Sequence, residues 1–328
     1  MLRGLVRLVS IGAAALTVTV VVGCKRSKPP LASRVWLGPT GGCVETPMHP
    51  TSGTFACWGV NDAGQLGDGT TIARLSATKQ SFAAGKVTDM ALGEKHSCAV
   101  FDQKSVACWG DGSGGRLGPA VPSSLVPLEV EGRGGPHLAV GVGGAHTCAA
   151  YGPSASSREM VLCRGRAVAA PREPVLGSVV VKELAAGGDH TCALLEDATI
   201  RCWGRNDAGQ LGDGTTNDAA APVSVLDLQG VAQVATGRRH TCALLRIGTI
   251  ACWGDNGRHQ LASGTTEGSA RPKMVVGLVG AREIVAAGDG TCARLEGGYV
   301  RCWGKNDAGQ LGDGSTVEHT VPVQIRFR

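Results

Sequence analysis

Short stretches of alternating apolar and polar residues recur along this 328-residue chain, and helical periodicity is not sustained anywhere. The segment HTCALLEDATIRCWG at 190–204 shows the pattern. A three-residue loop in its middle places Leu194 opposite Ile200. The same register places Cys192 opposite Cys202, and the period-two geometry of a strand puts these four side chains on one face. The pattern therefore predicts a β-hairpin with one buried face.

This hairpin recurs about every fifty residues, a spacing that indicates a repeat architecture. Cys192, Cys242 and Cys292 are separated by 50 residues each. Together the copies account for residues 35–328 and leave no second domain. The six units start near Val35, Met90, Val140, Leu184, Val234 and Ile284.

A glycine-rich segment forms the second half of the unit. NDAGQLGDGTT occupies 206–216, and near copies occupy 61–71 and 306–316. Proline follows, as at Pro222 and Pro322, and a short apolar stretch leads into the next unit. Each unit is therefore expected to contain strands, a hairpin, a glycine-rich turn and a further extended segment.

Thirteen cysteines are many for a protein of a reducing compartment. With Cys24 set aside, two remain in each unit, and the hairpin register predicts that they form a disulfide. Each bond closes a loop of about 11 to 16 residues, which stabilises by about 2–3 kcal/mol. Zinc is the alternative because His190 lies near one pair, but the paired Cys-x-x-Cys signature is missing, so no metal is expected. The predicted pairs are Cys43–Cys57, Cys98–Cys108, Cys148–Cys163, Cys192–Cys202, Cys242–Cys252 and Cys292–Cys302.

Composition narrows the fold class but names no reaction. Glycine supplies 50 residues while aromatic residues make up only 4%, which disfavours a helical bundle and favours short strands joined by tight turns. The net charge of +5 is mild and scattered along the chain, so we expect no nucleic-acid partner.

The N-terminus resembles a bacterial lipoprotein signal. Arg3 and Arg7 precede an uncharged apolar run from 8 to 22 that is too short to span a membrane, and the sequence VVGC follows. The resemblance implies that residues 1–23 are a signal peptide and that Cys24 carries a diacylglyceryl group. An ordinary signal peptide with an incidental cysteine is the alternative.

Residues 24–34 form the expected lipidated tether, and ten extended residues reach at most about 35 Å. Lys25 stands where aspartate would direct such a lipoprotein to the inner membrane. This resemblance implies an exported protein held at the outer membrane.

The combination of HTCALL, CWG, N-x-x-GQLGDGT and a following proline resembles the regulator of chromosome condensation repeat family. It covers 35–328, five units clearly and the third weakly, since Arg164 replaces the tryptophan there and GQLGDG is absent. The resemblance implies an all-β fold, a β-propeller of four-stranded blades. Six units suggest six blades, whereas the family more often builds seven. The C-terminal strand in VPVQIRF at 321–327 is also free, in this interpretation, to complete an N-terminal blade.

Several tempting sites are interpreted as structural. GDGSGG at 110–115 matches a dinucleotide pattern but lies at a turn with no helix behind it. Asn206, Asp207 and Asp213 are expected to bond turn amides, with a structural cation as the alternative. Histidines that recur at one register lack the partner geometry of catalysis, and the recurring tryptophans are expected to pack between blades. These are His96, His146, His190 and His240, and Trp58, Trp109, Trp203, Trp253 and Trp303.

Function is expected where the units differ, and the hairpin loops at 44–53 and 151–159 are lengthened. They form either a partner-binding edge on one rim or tolerated surface variation. We expect a monomeric, membrane-anchored, non-catalytic scaffold without cofactor that binds a protein or an envelope component. The alternatives are an architectural lipoprotein and an envelope hydrolase with its site at the propeller mouth. The hydrolase would draw on the non-repeating acids Glu45, Glu129, Glu131, Glu159 and Glu173.

Overall fold

The computed structural model describes residues 35–46, 54–81, 87–102, 105–118, 121–130, 137–152, 160–165, 176, 180–307, 311 and 313–324. The expected signal peptide and tether lie outside these residues, as do most of the two lengthened hairpin loops. Across the described ranges the fold is all-β, with two single-turn 3₁₀ segments at Ser113–Gly115 and Glu296–Gly298.

The strands form six antiparallel sheets, which we number as blades 1 to 6 in chain order. Blade 1 contains β1 Val35–Gly38, β2 Gly41–Thr46, β3 Thr54–Gly59 and β4 Arg74–Ser81. Blade 2 contains β5 Val87–Leu92, β6 His96–Phe101, β7 Ser105–Gly110 and β8 Ser124–Val130. Blade 3 contains β9 His137–Val142, β10 His146–Tyr151 and β11 Met160–Gly165.

Blades 4 to 6 repeat the pattern. Blade 4 contains β12 Val181–Ala186, β13 His190–Leu195, β14 Ile200–Gly204 and β15 Ala219–Ser224. Blade 5 contains β16 Val231–Thr236, β17 His240–Leu245, β18 Ile250–Gly254 and β19 Ser269–Met274. Blade 6 contains β20 Ala281–Ala287, β21 Gly290–Leu295, β22 Val300–Gly304 and β23 His319–Gln324.

Every blade is a meander of consecutive strands. Five sheets have four strands, and three strands of blade 3 lie among the described residues. The strand β23 pairs with β22 of its own blade, and β1 pairs with β2. The interpretation in which the C-terminal strand completes an N-terminal blade is therefore wrong. Each blade is made from one continuous stretch of chain.

A disulfide crosses the central hairpin of each blade, as the hairpin register predicts. In blade 4 the strands pair Cys192 with Cys202 and Leu194 with Ile200. The two Cα atoms of this pair are 4.1 Å apart. The six bonds are Cys43–Cys57, Cys98–Cys108, Cys148–Cys163, Cys192–Cys202, Cys242–Cys252 and Cys292–Cys302.

The hydrophobic core lies between neighbouring blades rather than within one. Leu194 and Ile200 of blade 4, for example, pack with Val234 and Trp253 of blade 5. Trp109, Trp203, Trp253 and Trp303 are all fully buried at such seams. Because each sheet offers its apolar face to the next, the first strands of the blades are brought together around an axis.

The blades have two ends, which we name by what lies there. The turn face holds the glycine-rich loops and the turns of two or three residues between the first and second strands. The hairpin face holds the tips of the central hairpins and the start of β1, since Val35 pairs with Val44 while Gly38 and Gly41 flank the turn. Backbone bonds such as Gly144 N to Gly187 O, 2.9 Å, join successive turns on the turn face.

Candidate functional site

The first strands of the blades surround an axial channel with a cavity of about 280 Å³. Four polar side chains line it at equivalent positions, which we call the polar belt: Asp89 of β5, Glu183 of β12, Gln233 of β16 and Glu283 of β20. Each stands nine residues before the first cysteine of its blade. At the same register β9 carries Ala139.

Three belt side chains tie one blade to the next. Asp89 Oδ2 accepts a hydrogen bond from Val140 N at 2.9 Å. Gln233 Oε1 accepts one from Ile284 N at 2.9 Å. Glu183 Oε2 accepts one from Val234 N at 3.3 Å. Because an amide and a carboxylate form the same bond at this position, it requires an acceptor and not a titratable group.

The remaining belt residue pairs within its own blade. Arg294 Nε donates to Glu283 Oε2 at 2.9 Å. Arg294 stands where blades 4 and 5 have Leu194 and Leu244, so this charged side chain in the central hairpin is paired with a channel carboxylate.

Burial raises the pKa of Glu183 to about 8, and the nearby charge of Asp89 acts in the same direction. A carboxyl group in this state is mostly protonated at neutral pH, and it is chemically able to donate a proton or a hydrogen bond.

Each recurring histidine forms a side-chain hydrogen bond across the seam between two blades, and we call this series of bonds the histidine ladder. His190 Nε2 lies 2.9 Å from Thr241 Oγ1 of the next blade. Thr241 Oγ1 in turn donates to Gln210 O at 2.8 Å, so its single proton is used and the imidazole must be the donor. The equivalent pairs are His96–Thr147, His146–Thr191 and His240–Thr291, each at 2.8 Å.

Burial also settles the charge of these histidines. It lowers the pKa of His96 and His190 to about 3 and that of His146 and His240 to about 4. The four rings are therefore neutral at ordinary pH. Their contacts run from blade to blade and not into the channel, which supports their structural interpretation.

Each glycine-rich loop lies between its own blade and the next one, and we call such a loop a wedge. Asn206 organises its loop by donating to Asp213 Oδ1 at 3.2 Å and accepting from Leu211 N at 2.9 Å. This brings the carbonyl of Gln210 to Trp253, whose Nε1 donates to it at 2.9 Å. Trp109 and Trp303 make the same bond to Gln65 and Gln260, both at 2.9 Å.

The aspartates of the glycine-rich loop accept hydrogen bonds from neighbouring residues of the same loop. Asp213 Oδ1 accepts from both the amide and the hydroxyl of Thr215 at 3.0 Å. Asp207 Oδ2 accepts from Arg205 at 2.8 Å. Within the described ranges no three acidic, histidine or cysteine side chains are grouped to hold a metal ion. The GDGSGG stretch forms a 3₁₀ turn between strands at 113–115 and opens no long helix.

Charged side chains surround the channel mouth on the turn face. Arg238 of blade 5 lies 3.7 Å from Glu94 of blade 2, so this pair crosses the mouth. Arg239 Nη2 lies 2.9 Å from Asp207 Oδ2, and Arg205 shares the same carboxylate. The three arginines are between 41% and 58% exposed, which leaves them able to bind another molecule. We call this group the charged mouth.

Of the acids proposed for a hydrolase, the two that lie among the described residues, Glu45 and Glu129, are on strands that do not line the channel. Glu129 is exposed on the outermost strand β8, far from the inner strands, and Glu45 lies on β2. Glu131, Glu159 and Glu173 lie outside the described residues. The channel carboxylates are instead Asp89, Glu183 and Glu283, which sequence reasoning missed. Their common position nine residues before the first cysteine of each blade was the available signal.

Two sequence models described as Regulator of chromosome condensation (RCC1) repeat match the chain. One matches 87–116, 181–210, 231–260 and 283–310, and the other matches 56–100, 200–244 and 298–328. Together they cover more than half of the sequence. The chain belongs to the RCC1-repeat family. Neither model matches 117–180, which contains the divergent blade 3.

The chain spans less than half the length of the curated relatives it matches. It is 31% identical to the Arabidopsis thaliana Ultraviolet-B receptor UVR8 over 194 residues, 56% of this chain and 43% of the relative. It is 32% identical to the Homo sapiens E3 ubiquitin-protein ligase HERC2 over 197 residues, 55% of this chain and 4% of the relative. The similarity is therefore to the repeat region.

Solved structures show the same fold. Human WBSCR16 superposes with a TM-score of 0.77 at 20% identity, over 92% of this chain and 83% of that one. Saccharomyces cerevisiae Prp20p superposes with a TM-score of 0.74 at 20% identity, over 89% and 76%. At this identity the likeness establishes the RCC1-type propeller and nothing about activity.

Proposed function

We propose that this RCC1-repeat propeller is a non-catalytic scaffold, held outside the cytoplasm by a lipid on Cys24, and that the charged mouth binds a protein partner. The observation that carries the proposal is the charged mouth itself. Arg238 is exposed on a short turn whose backbone is bonded to both neighbouring blades, and the adjacent Arg239, which is partly exposed, shares Asp207 with Arg205. Charges on a rigid base bind a partner without a large ordering cost.

The chemistry of the polar belt favours binding over catalysis. Glu183 is the channel group best suited to proton transfer, yet its oxygen is bonded to Val234 N. Gln233 fills the equivalent position and makes the equivalent bond without an ionisable group. A side chain that an amide replaces in the next blade is explained by its fastening role.

Export and anchoring are supported by the cysteines and by the N-terminal sequence. Six disulfides within one chain are typical of an oxidising compartment. The VVGC sequence ending at Cys24 resembles a lipoprotein signal. Across the described residues, no helix has the length and apolar character needed to cross a bilayer. The proposal therefore assigns anchoring to Cys24.

The comparisons support a protein as the partner. The Prp20p structure is described with binding properties to Gsp1p and histones, and a second structure has Kap60 bound to the same yeast protein. Those partners belong to that protein. What passes to this chain under the proposal is only the use of the fold as a protein-binding surface.

The test is capture of envelope proteins by the purified mature chain and its variants. Arg239→Glu combined with Arg205→Glu should abolish capture. Arg271→Glu is the matched control, because Arg271 is 59% exposed in an ion pair with Asp227 away from the mouth. Unchanged capture by the double variant would contradict the assignment. Loss only on deletion of 153–159 would move the binding site to the hairpin face. Peptide mass mapping of Cys24 tests the lipid independently.

A further inference from the structure

Four large apolar side chains are exposed together on the hairpin face at the seam between blades 5 and 6. Ile247 at a hairpin tip is 79% exposed, and Val276 and Val279 in the loop after β19 are each 73% exposed. Tyr299, at the tip of the next hairpin, is 58% exposed. We call these four residues the apolar rim.

Backbone hydrogen bonds join the three loops that carry the rim. Ala281 N donates to Gly248 O at 2.9 Å, which fixes the loop after β19 against the blade 5 hairpin. Glu296 N donates to Gly280 O at 2.8 Å, which fixes the blade 6 hairpin against the same loop. The four exposed apolar side chains therefore lie on loops that are fixed to one another, and grouped apolar residues mark an interaction site more than scattered single residues do.

Two of the four rim positions are polar in blade 4, while half-buried Leu226 stands in place of Val276. Fifty residues earlier in the repeat, Asp197 stands in place of Ile247 and Gln229 in place of Val279. Both are exposed, as is Asp227 in the same loop. The backbone of the repeat therefore does not require apolar residues at these positions.

The apolar rim lies on the face from which the N-terminal chain leaves the propeller. Val35 starts β1 at the hairpin face. Ten residues separate it from Cys24, and they reach at most about 35 Å. A lipid on Cys24 thus holds the hairpin face close to the bilayer.

The charges beside the rim suit a phospholipid surface. Arg246 is exposed next to Ile247, and Arg282 is 53% exposed and forms an ion pair with Glu296 at 2.9 Å, so Arg246 supplies the net positive charge. Arginines near an anionic leaflet gain electrostatic attraction, and tyrosine is favoured at the level of the headgroups.

We propose that the apolar rim rests on the phospholipid bilayer, with Ile247, Val276, Val279 and Tyr299 at headgroup depth. This inference rests on the proposed anchoring at Cys24. A lipid anchor alone leaves the propeller free to rotate, while a second contact fixes its orientation. In that orientation the hairpin face meets the membrane, and the charged mouth points away from it toward a partner.

The test is hydrogen–deuterium exchange on the lipidated full-length mature chain in vesicles of phosphatidylethanolamine and phosphatidylglycerol. The Cys24→Ser chain in vesicle-free solution is the reference. Exchange at 275–280 should slow at least about threefold on vesicles, while 225–230 in blade 4 stays unchanged. Val279→Asp should remove the protection. Gln229→Asp, which adds the same charge at the equivalent position, should leave it intact.

The outcomes separate the two proposals. A chain that carries no lipid mass on Cys24 and does not float with vesicles overturns both the anchoring and the rim. A lipidated chain that floats while 275–280 exchanges as fast as in the reference overturns the rim alone. Protection that requires an added protein extract and not vesicles assigns the rim to a protein and overturns the bilayer contact.

Discussion

The seam between blades 5 and 6 and the seam between blades 3 and 4 come from the same repeat but are fastened differently. The first has a His240–Thr291 bond, a Gln233 bond to the next blade and a Trp303 bond to the preceding loop. Among the described residues, the second retains its His146–Thr191 bond, the backbone bond from Gly144 N to Gly187 O and its apolar core, but it has neither a belt bond nor a tryptophan bond.

Both losses at the second seam trace to blade 3. Ala139 occupies the belt position, so it offers no acceptor to blade 4. The GQLGDG segment is absent from this unit, and the indole Nε1 of Trp203 is buried with no hydrogen-bond partner in the described part of the chain. A buried donor without a partner costs about 1–3 kcal/mol. The comparison teaches that the histidine bond, the turn-to-turn backbone bonds and the apolar core together join two blades, while the glycine-rich loop and the polar belt add further bonds.

The largest loss of stability is expected from removing the histidine bond at the seam between blades 3 and 4, where fewer other bonds join the blades. His146→Ala should lower the free energy of unfolding by about 4 kcal/mol, and His240→Ala by about 3 kcal/mol, because each leaves a cavity and an unpaired hydroxyl. Urea unfolding at neutral pH measures both. Equal losses at the two seams would show that the wedge and belt do not compensate.

A smaller difference is expected between two tryptophans. Trp303→Phe removes a bond to Gln260 O as well as ring volume, and should cost about 2–3 kcal/mol. Trp203→Phe loses the same ring volume but also removes a buried donor that has no partner within the described ranges, so the net cost should be at most about 1 kcal/mol. The same urea measurement decides the matter, and a larger loss at Trp203 would contradict the account of this seam.

The polar belt predicts a pH dependence at the seam between blades 4 and 5. Burial raises the pKa of Glu183 to about 8, so the folded chain holds a proton that the unfolded chain releases near pH 4.5. Wild-type stability therefore falls, on account of this group, as the pH rises from about 4.5 to about 8. Glu183→Gln should be stabilised by about 1–2 kcal/mol at pH 8 and by almost nothing at pH 4.5, once screening by channel water is allowed for.

The matched control for Glu183→Gln is the opposite substitution at the equivalent position of blade 5. Gln233→Glu introduces a carboxyl at the equivalent position and should destabilise the chain increasingly as the pH rises. Thermal unfolding of both variants across this pH range provides the measurement. A flat pH profile for Glu183→Gln relative to wild type is the outcome that contradicts the prediction.

The smallest effect is a gain. Ala139→Gln supplies blade 3 with the acceptor it lacks, opposite the amide of Leu184, and should stabilise by about 0.5–1 kcal/mol. Ala139→Met is the size control, because it adds volume without a good acceptor. If methionine stabilises as much as glutamine in urea unfolding, packing and not the hydrogen bond explains the gain.

The hairpins were predictable because their information is local. Cys192, Leu194, Ile200 and Cys202 lie within eleven residues, and alternation fixes their common face. The weakness of the third unit was also visible, in Arg164. The consequence for Trp203 in the following blade, whose indole N–H lacks a partner in the described part of the chain, could not be predicted from the sequence. It depends on how the glycine-rich loop crosses the seam between blades.

The channel was harder to predict for the same reason. Which side chain of a first strand meets the next blade depends on the angle between sheets, and no local pattern encodes that angle. Asp89 and Glu183 therefore resemble ordinary strand residues in the sequence. The hydrolase hypothesis relies on acids that do not recur with the repeat, whereas the channel is lined by side chains from a position that recurs in the repeat.

The contiguous blades have a mechanical consequence for a chain held by its N-terminal end. Force that arrives through residues 24–34 loads β1 first, and β1 is bonded within its blade only to β2. Peeling then reaches the Cys43–Cys57 bond, which prevents β2 from separating from β3. Under such a force β1 would therefore separate from β2 first, and the disulfide would stop the unfolding of blade 1 before it reaches the other five blades.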